Sequence, residues 1–154
     1  MGFLLAKDTI SGQEARAFAT INNQHVEMFY AKKIEAKVKK TKKSLKTLGK
    51  RGSQSKATGW EGTGTMTIYY VTSVFRQMML EYMKNGKDTY FDLMIVNEDP
   101  TSSIGKQTVL IKGVNLDEIT MATFDVEAEA LEEEMPFTFH AADILDEFGQ
   151  PILG

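Results

Sequence analysis

Long stretches in which apolar and polar residues alternate dominate this 154-residue chain. Successive side chains of a β-strand point to opposite faces, so an alternation of period two predicts strands with one buried face. The clearest run starts at Val26 and predicts a strand of about fifteen residues, which we expect to pair with the alternating run at 63–71. Its apolar face comprises Val26, Met28, Tyr30, Ile34, Ala36 and Val38, and its polar face comprises Glu27, Lys33, Glu35, Lys37 and Lys39.

The segment between these two predicted strands has the composition of a loop. Residues 44–62 contain four glycines, several Ser and Thr residues and a cluster of bases. This composition is typical of a long, flexible hairpin loop. Because structureless loops of this length are uncommon inside a compact domain, we expect the 44–62 loop to be functional or disordered.

One helix is predicted after the second strand. Thr72 or Ser73 can cap its first turn, and Asn85-Gly86 predicts its end because glycine readily adopts the left-handed conformation of a helix C-terminus. Between them, apolar residues recur at helical spacing, and we expect this stripe to pack in the core. The stripe comprises Val74, Phe75, Met78, Met79, Tyr82 and Met83.

The rest of the chain predicts further strands. We expect strands over 90–96, 107–114 and 119–131, with the last two forming a second long hairpin. Two shorter strands are expected near the N-terminus, and one helical turn over 142–148. The length and the 42% hydrophobic content predict a single domain over 1–154, mainly β with one α-helix. No apolar run approaches the roughly 20 residues that a bilayer-spanning helix needs.

Charge is strongly segregated along the chain. Eleven of the eighteen bases lie between Lys32 and Lys56, where Glu35 is the only acid. No base follows Lys112, whereas residues 113–154 hold eleven acids. The net charge of −3 therefore conceals a dipolar molecule, whose basic part suits a negative surface on a neighbouring protein or on a nucleic acid.

The sequence offers little to catalysis. It contains no cysteine and only two histidines, His25 and His140, neither of which lies in a nucleophile or metal-binding motif. The three consecutive acids at 132–134 would point to alternate faces of a strand, so we interpret them as a solvated surface. We predict neither an enzyme nor a metal or cofactor site. The N-terminal Met-Gly lacks the Ser or Thr at position 6 of a myristoylation signal, so no lipid anchor is expected.

Two functions fit the basic segment. A viral nucleic-acid-binding protein with a basic arm would use this charge on phosphates, although the segment lacks interleaved aromatic residues and a groove-reading helix. A self-associating protein would place the basic segment against the acidic third of another copy. A head-to-tail contact of that kind produces rings or filaments.

Several segments resemble a known family in an ordered set from about residue 8 to residue 152. They are ISGQE at 10–14, FYAKK at 29–33, KTLGKRG at 46–52, GWEGTG at 59–64, MTIYY at 66–70, GKDTYF at 86–91, NEDP at 97–100 and GVNLD at 113–117. The chain resembles tail tube proteins of the PBSX-like prophage type, the inner tube subunits of contractile tails in phages and phage-like particles.

The resemblance implies a tail-tube β-barrel or sandwich with a flanking helix. It implies that subunits form stacked hexameric rings inside a contractile sheath, and that two long hairpins per subunit build a closed barrel around the lumen. The 44–62 loop would then contact a neighbouring subunit or ring. The candidate contact residues are Lys42, Lys43, Lys46, Lys50, Arg51, Lys56 and Trp60.

The resemblance also implies a lumen and a set of partners. A lumen that passes DNA is expected to repel phosphate, which places Asp125, Glu127 and Glu129 there. The polar face of Lys33, Glu35, Lys37 and Lys39 would line it too, so the lining is not expected to be purely acidic. Expected partners are further copies of the chain, the sheath, baseplate, tape-measure and tail-terminator proteins, and DNA in the lumen. Assembly is expected in the host bacterial cytoplasm, into the tail of a virion or phage-like particle.

Overall fold

The structure is a computed structural model that describes residues 5–6, 15–28, 30–46, 48–49, 51–100 and 102–149. The predicted class, mainly β with one α-helix, is confirmed. The elements are β1 (Ala15–Ile21), β2 (Gln24–Glu27), β3 (Ala31–Lys46), β4 (Ser53–Tyr69), α1 (Val74–Asn85), β5 (Phe91–Glu98), β6 (Lys106–Leu116), β7 (Glu132–Phe139) and β8 (Ala141–Asp146).

Antiparallel pairing joins these strands in the order β2-β1-β5-β6-β7-β4-β3, and β8 also pairs with β6. Strand β6 connects the two halves of the sheet. Its first part pairs with β5 and β8, whereas Asn115 and Leu116 at its end pair with β7. The two short N-terminal strands form a hairpin whose turn residues, Asn22 and Asn23, both have positive φ, as a two-residue primed turn requires.

The predicted pairing of the two alternating runs is confirmed, but the boundaries of the strands differ. Strand β3 pairs with β4 from Ala31 opposite Ile68 to Lys46 opposite Ser53. The predicted 44–62 loop is therefore mostly strand, because β3 continues to Lys46 and β4 begins at Ser53. The alternation from Val26 is also interrupted, because β2 ends at Glu27 and β3 begins only at Ala31. Small residues and bases in the 44–62 segment disguised a strand that continues beyond the core.

The inner faces of both halves form one core. Two glycines of β4 make room for it: a Cβ on Gly62 would lie 2.5 Å from the Phe139 aromatic ring, and one on Gly64 would lie 2.5 Å from that of Phe137. Each glycine is the cross-strand partner of the phenylalanine it accommodates. The buried core residues are Ala17, Ala19, Met28, Met66, Ile68, Phe75, Phe91, Leu93, Ile111, Val114, Met135, Phe137 and Phe139.

The predicted helix is confirmed, but most of its apolar stripe is not in the core. Gly86 ends the helix with φ of 69°, and its N–H donates to the Tyr82 carbonyl at 2.9 Å. Phe75 is buried against Phe91, with ring centroids 5.8 Å apart. Val74, Tyr82 and Met83 are exposed, so the expectation that the whole stripe packs in the core is wrong. One helix face contacts only one strip of a sheet, which the outer residues of a wide stripe do not reach.

The predicted second hairpin is wrong. Residues 117–131 form no strand, and the strand that follows β6 along the chain is β7, Glu132–Phe139. Met135, Phe137 and Phe139 place a large apolar surface at three successive positions of one face of β7, whereas the corresponding face of 122–130 has three alanines beside Phe124 and Val126. The helical turn predicted at 142–148 is also wrong, because Ala141–Asp146 forms β8 along β6.

Candidate assembly interface

The β3–β4 hairpin extends beyond the core. Every described residue from 37 to 61 is exposed, on both faces of the two strands, and we call this part the hairpin arm. At about 3.3 Å per residue, the ten residues of β3 in the arm span roughly 33 Å. Strand β3 also ends the order of strands, so β4 is its only partner within the described chain. Two-stranded hairpins are marginally stable in water, and edge strands readily pair with other chains.

The structure brings most of the candidate contact residues together on the arm. Lys42, Lys43 and Lys46 lie on β3, while Lys56 and Trp60 lie on β4 and Arg51 lies at the tip. Lys50 lies outside the described residues. An irregularity in the pairing between Thr41 and Lys42 changes the register, and the Thr58 hydroxyl donates to the Thr41 carbonyl there at 3.1 Å. The arm therefore carries its bases on a locally twisted ribbon.

The polar face predicted for β3 is a real face. Lys33, Glu35, Lys37 and Lys39 alternate with Ile34, Ala36 and Val38, whose partners on β4 are buried or half-buried. The Glu35 carboxylate lies 2.9 Å from the Lys37 ammonium and 3.8 Å from that of Lys33. The hydrogen bond and the charge of Lys37 lower the pKa of Glu35, and the same contact raises the pKa of Lys37.

This polar face continues across β4 and β7. Threonines on β4 at 63, 65 and 67 lie opposite Lys37, Glu35 and Lys33. On the other side they pair with Thr138, Pro136 and Glu134 of β7. The Lys32 ammonium, also near this face, donates to Glu132 at 2.8 Å, which raises the pKa of Lys32. The result is a sheet surface of hydroxyls and charges of both signs, suited to contact with water.

The three acids predicted to share a strand face lie in irregular structure instead. Asp125, Glu127 and Glu129 belong to the connection between β6 and β7, residues 117–131, which we call the acidic loop. Residues 121–130 of this loop are all exposed. The Asp125 carboxylate accepts the backbone N–H of Glu127 at 3.0 Å, which forms a local turn.

An apolar hollow lies at the base of the hairpin arm. It has a volume of about 460 Å³ and is lined by Val38, Lys40, Ala57, Trp60, Phe139 and Ala142. Trp60 and Val38 are 50% and 59% exposed, so a large apolar surface faces solvent here. The sequence analysis identified Trp60 but not the hollow, because Phe139 and Ala142 were not assigned to neighbouring strands. The sequence signal that could have located the hollow was the spacing of Met135, Phe137 and Phe139 at every second residue, which places them on one face of a strand.

A buried ion pair was also missed. Glu133, which we expected on a solvated surface, is 3% exposed and accepts a hydrogen bond from the Arg76 guanidinium. Arg76 also donates to the Thr72 carbonyl and lies 4.2 Å from the centre of the Tyr70 ring. This cluster attaches the first turn of α1 to β7.

The described residues contain no group of three or more His, Cys, Asp or Glu side chains able to hold a metal ion. Within the same part of the chain, no helix is long and apolar enough to cross a membrane. His25 is exposed, stacks on Phe18 and lies 3.2 Å from the Thr20 hydroxyl, while His140 is exposed. The notable features of the described residues are the edge strand, the projecting arm and the polar sheet face.

Comparison with known proteins identifies the family. The sequence pattern of the phage tail tube proteins matches residues 2–146, and the chain belongs to this family. It is 44% identical over 141 residues to the phage-like element PBSX protein XkdM of Bacillus subtilis (strain 168), covering 92% of this chain and 93% of XkdM. The resemblance to PBSX-type tail tube proteins is confirmed, and membership of this family points to a structural role in a tail.

Solved structures confirm the tail tube fold at low sequence identity. A chain of the anti-feeding prophage (AFP) baseplate matches with a TM-score of 0.66 and 8% identity, over 92% of this chain and 97% of that one. The SPP1 tail tube matches with a TM-score of 0.64 and 11% identity, over 94% of this chain and 81% of that one.

Proposed function

We propose that this protein is the inner tube subunit of a contractile tail, in which hexameric rings stack to form a hollow conduit. The observation that carries the proposal is the hairpin arm, exposed on both faces and ending in an edge strand, in a member of the tail tube family. An arm of this kind gains stability when a neighbouring copy supplies the missing strand and the missing contacts.

The polar sheet face would line the lumen. Strands β3, β4 and β7, with the end of β6, present one face of threonines and paired charges and bury the other. Four such strands from each of six copies would form a barrel of about 24 strands, wider than the 16–18-stranded porins that enclose an aqueous channel. Lys33, Glu35, Lys37 and Lys39 are then lumen-facing, with a mixed sign that would let a charged cargo pass without binding tightly.

Segregated charge would favour contact between copies. The arm carries Lys42, Lys43, Lys46 and Lys56, while the acidic loop holds five acids and no base. Opposite patches on one chain form a head-to-tail contact, which generates rings and open stacks. The tube would lie inside a sheath and contact baseplate, tape-measure and terminator proteins, after assembly in the host cytoplasm, and would deliver DNA or puncture a membrane.

Electron microscopy of the purified protein tests this proposal. Concentrated protein should form six-fold rings or rods in negative stain. A DNA mobility-shift assay over a range of salt concentrations should be run on the same sample, because phosphate contacts weaken steeply with salt. Salt-sensitive DNA binding by a protein that never assembles would support the nucleic-acid-binding function instead.

A further inference from the structure

Two exposed apolar surfaces of this chain have flanking charges of opposite sign. One is the hollow at the base of the hairpin arm, lined by Val38, Trp60 and Phe139. The other is the tip of the acidic loop, where Phe124 is 87% and Val126 80% exposed. Among the described large apolar side chains, only Leu48 is more exposed than Phe124. Exposed apolar patches of this kind mark interaction sites.

The charges around the two surfaces have opposite sign. Asp125, Glu127 and Glu129 follow Phe124, with no base between residues 113 and 154. Lys40 is one of the residues that line the hollow. Lys42 lies two residues further along β3 and therefore on the same face of the strand. If Phe124 entered the hollow, the three carboxylates that follow it would lie near the bases of β3. This pairing of opposite charges would favour that orientation of the loop over others.

We propose that the acidic loop of one copy inserts Phe124 into the hollow beneath the hairpin arm of another copy. This inference rests on the proposed self-assembly and identifies one of its contacts. A volume of about 460 Å³ accommodates an aromatic side chain, and Trp60 and Phe139, whose ring centroids are 6.5 Å apart, supply aromatic partners. Within the single chain the two surfaces do not meet, because Phe124 and Trp60 both remain exposed.

The inserting loop and the receiving hollow are different patches of one chain. Each copy therefore uses its loop on one neighbour and its hollow on another, and the contact repeats from copy to copy. The local turn formed by Asp125 helps to hold the loop tip in shape, which reduces the ordering that docking requires. The bases of the arm and the acids of the loop then meet around an apolar anchor, which gives the contact a fixed position that charge alone would not specify.

The test uses the absence of cysteine from the wild-type sequence. Two single-cysteine variants are prepared, Phe124→Cys and Val38→Cys, and one of them is isotopically labelled. Both variants are mixed with excess wild-type protein in one sample and assembled under oxidising conditions. Disulfide-linked dimers of one labelled and one unlabelled chain, identified by mass, are expected in the assembled fraction. Val71→Cys, at a site 69% exposed and apart from the hollow, replaces Val38→Cys in the control mixture and should give few such dimers.

The outcomes separate this inference from the proposed function. Tubes without the mixed dimer, or with as much dimer in the Val71→Cys control, would overturn the docking while leaving the tube function intact. Failure of wild-type protein to form tubes would overturn the tube function itself.

In a second measurement, Phe124→Ser should raise the critical concentration for assembly at least tenfold without changing the unfolding midpoint. Tyr82→Ser, on the exposed face of α1, should leave the critical concentration unchanged. An unchanged critical concentration for Phe124→Ser would also refute the docking.

Discussion

Two ion pairs of this protein lie in different environments, one buried and one exposed. The Arg76 and Glu133 side chains are 12% and 0% exposed, whereas those of Lys32 and Glu132 are 50% and 38% exposed. One oxygen of Glu133 is buried without a hydrogen-bond partner in the described structure, so Arg76 provides most of the compensation for burying that charge. Removing one partner of a buried pair leaves an uncompensated charge, which an exposed pair never does.

We therefore predict that Arg76→Met lowers the free energy of unfolding by about 3–5 kcal/mol. The double variant Arg76→Met/Glu133→Met should recover most of the loss, because no buried charge remains. Lys32→Met, the control at the exposed pair, should change stability by only about 0–1 kcal/mol. Urea unfolding of unassembled protein measures all three, and equal effects of Arg76→Met and Lys32→Met would contradict this account of the buried pair.

The glycines of β4 differ in the space around them. At Gly64, a Cβ would meet both the Phe137 aromatic ring and the Glu35 backbone carbonyl at 2.5 Å, and a backbone atom cannot move aside as a flexible side chain can. At Gly59, nothing lies within 4 Å of the same position. The two residues lie on one strand, so they form a matched pair for mutation.

Gly64→Ala should destabilise the fold by about 1–3 kcal/mol, as overpacking of a core does. Gly59→Ala should be neutral or slightly stabilising, because alanine restricts the unfolded chain without a clash. Thermal or urea unfolding of the two variants gives the comparison. A Gly64→Ala protein as stable as Gly59→Ala would show that β7 can move away from β4 at little cost.

At the scale of elements, the β3–β4 hairpin has two different halves. Near the core, Met66 and Ile68 of β4 are fully buried, and β7 pairs along the strand. Beyond Gly62, pairing with β7 ends and the hairpin arm continues with solvent on both faces. Backbone hydrogen bonds with few apolar contacts around them open more readily than those of a core.

We predict that amide hydrogens of the hairpin arm exchange much faster than those of residues 62–68 in the unassembled subunit. Assembly should protect the arm, because contact with another copy would bury its edge and the face that does not line the lumen. Hydrogen exchange followed by mass spectrometry before and after tube formation measures this. Equal protection of the arm in both states would mean that it makes no contact in the tube.

At the scale of the molecule, the charge segregated along the sequence is carried by different elements. The hairpin arm holds the bases, and acids occupy the acidic loop and β8, where Asp143 and Asp146 reach Lys112 and Lys106 at 3.0 and 3.7 Å. Single exposed pairs contribute about 0–1 kcal/mol, so no one contact would drive assembly. In a stack every copy repeats each contact, and small contributions add along the tube.

Lys42→Glu/Lys43→Glu should therefore block or strongly slow tube growth while the subunit remains folded. The matched control is Lys84→Glu/Lys87→Glu, which makes the same change of charge at the exposed end of α1 and should assemble. Light scattering records growth, and circular dichroism checks folding. Raising the salt concentration should slow the wild type as well, because at 0.1 M salt exposed charges more than about 10 Å apart are largely screened from each other. If both double variants fail to assemble, net charge matters rather than its position on the arm. If both assemble like the wild type, assembly does not depend on the charge of the arm.

Local patterns in the sequence were sufficient to predict several features. Alternation located the paired faces of β3 and β4, because strand periodicity depends only on successive side chains pointing to opposite sides. The end of α1 at Gly86 was predictable for a similar reason, since one residue supplies the left-handed conformation that the helix end requires. The ordered motifs also identified the family, whose structural role follows from its members rather than from any one site.

Tertiary structure decided which of several plausible strands join the core. Segments 119–131 and 132–139 both alternate, but only the second places three large side chains, Met135, Phe137 and Phe139, at successive positions of one face, where the two phenylalanines pack beside Gly62 and Gly64. That choice buried Glu133 beside Arg76, left Phe124 in solvent and created the hollow next to Trp60. The sequence by itself determined the periodicity of each segment. Competition among segments for one shared core determined which faces were buried and which remained exposed, because that outcome depends on residues far apart in the chain.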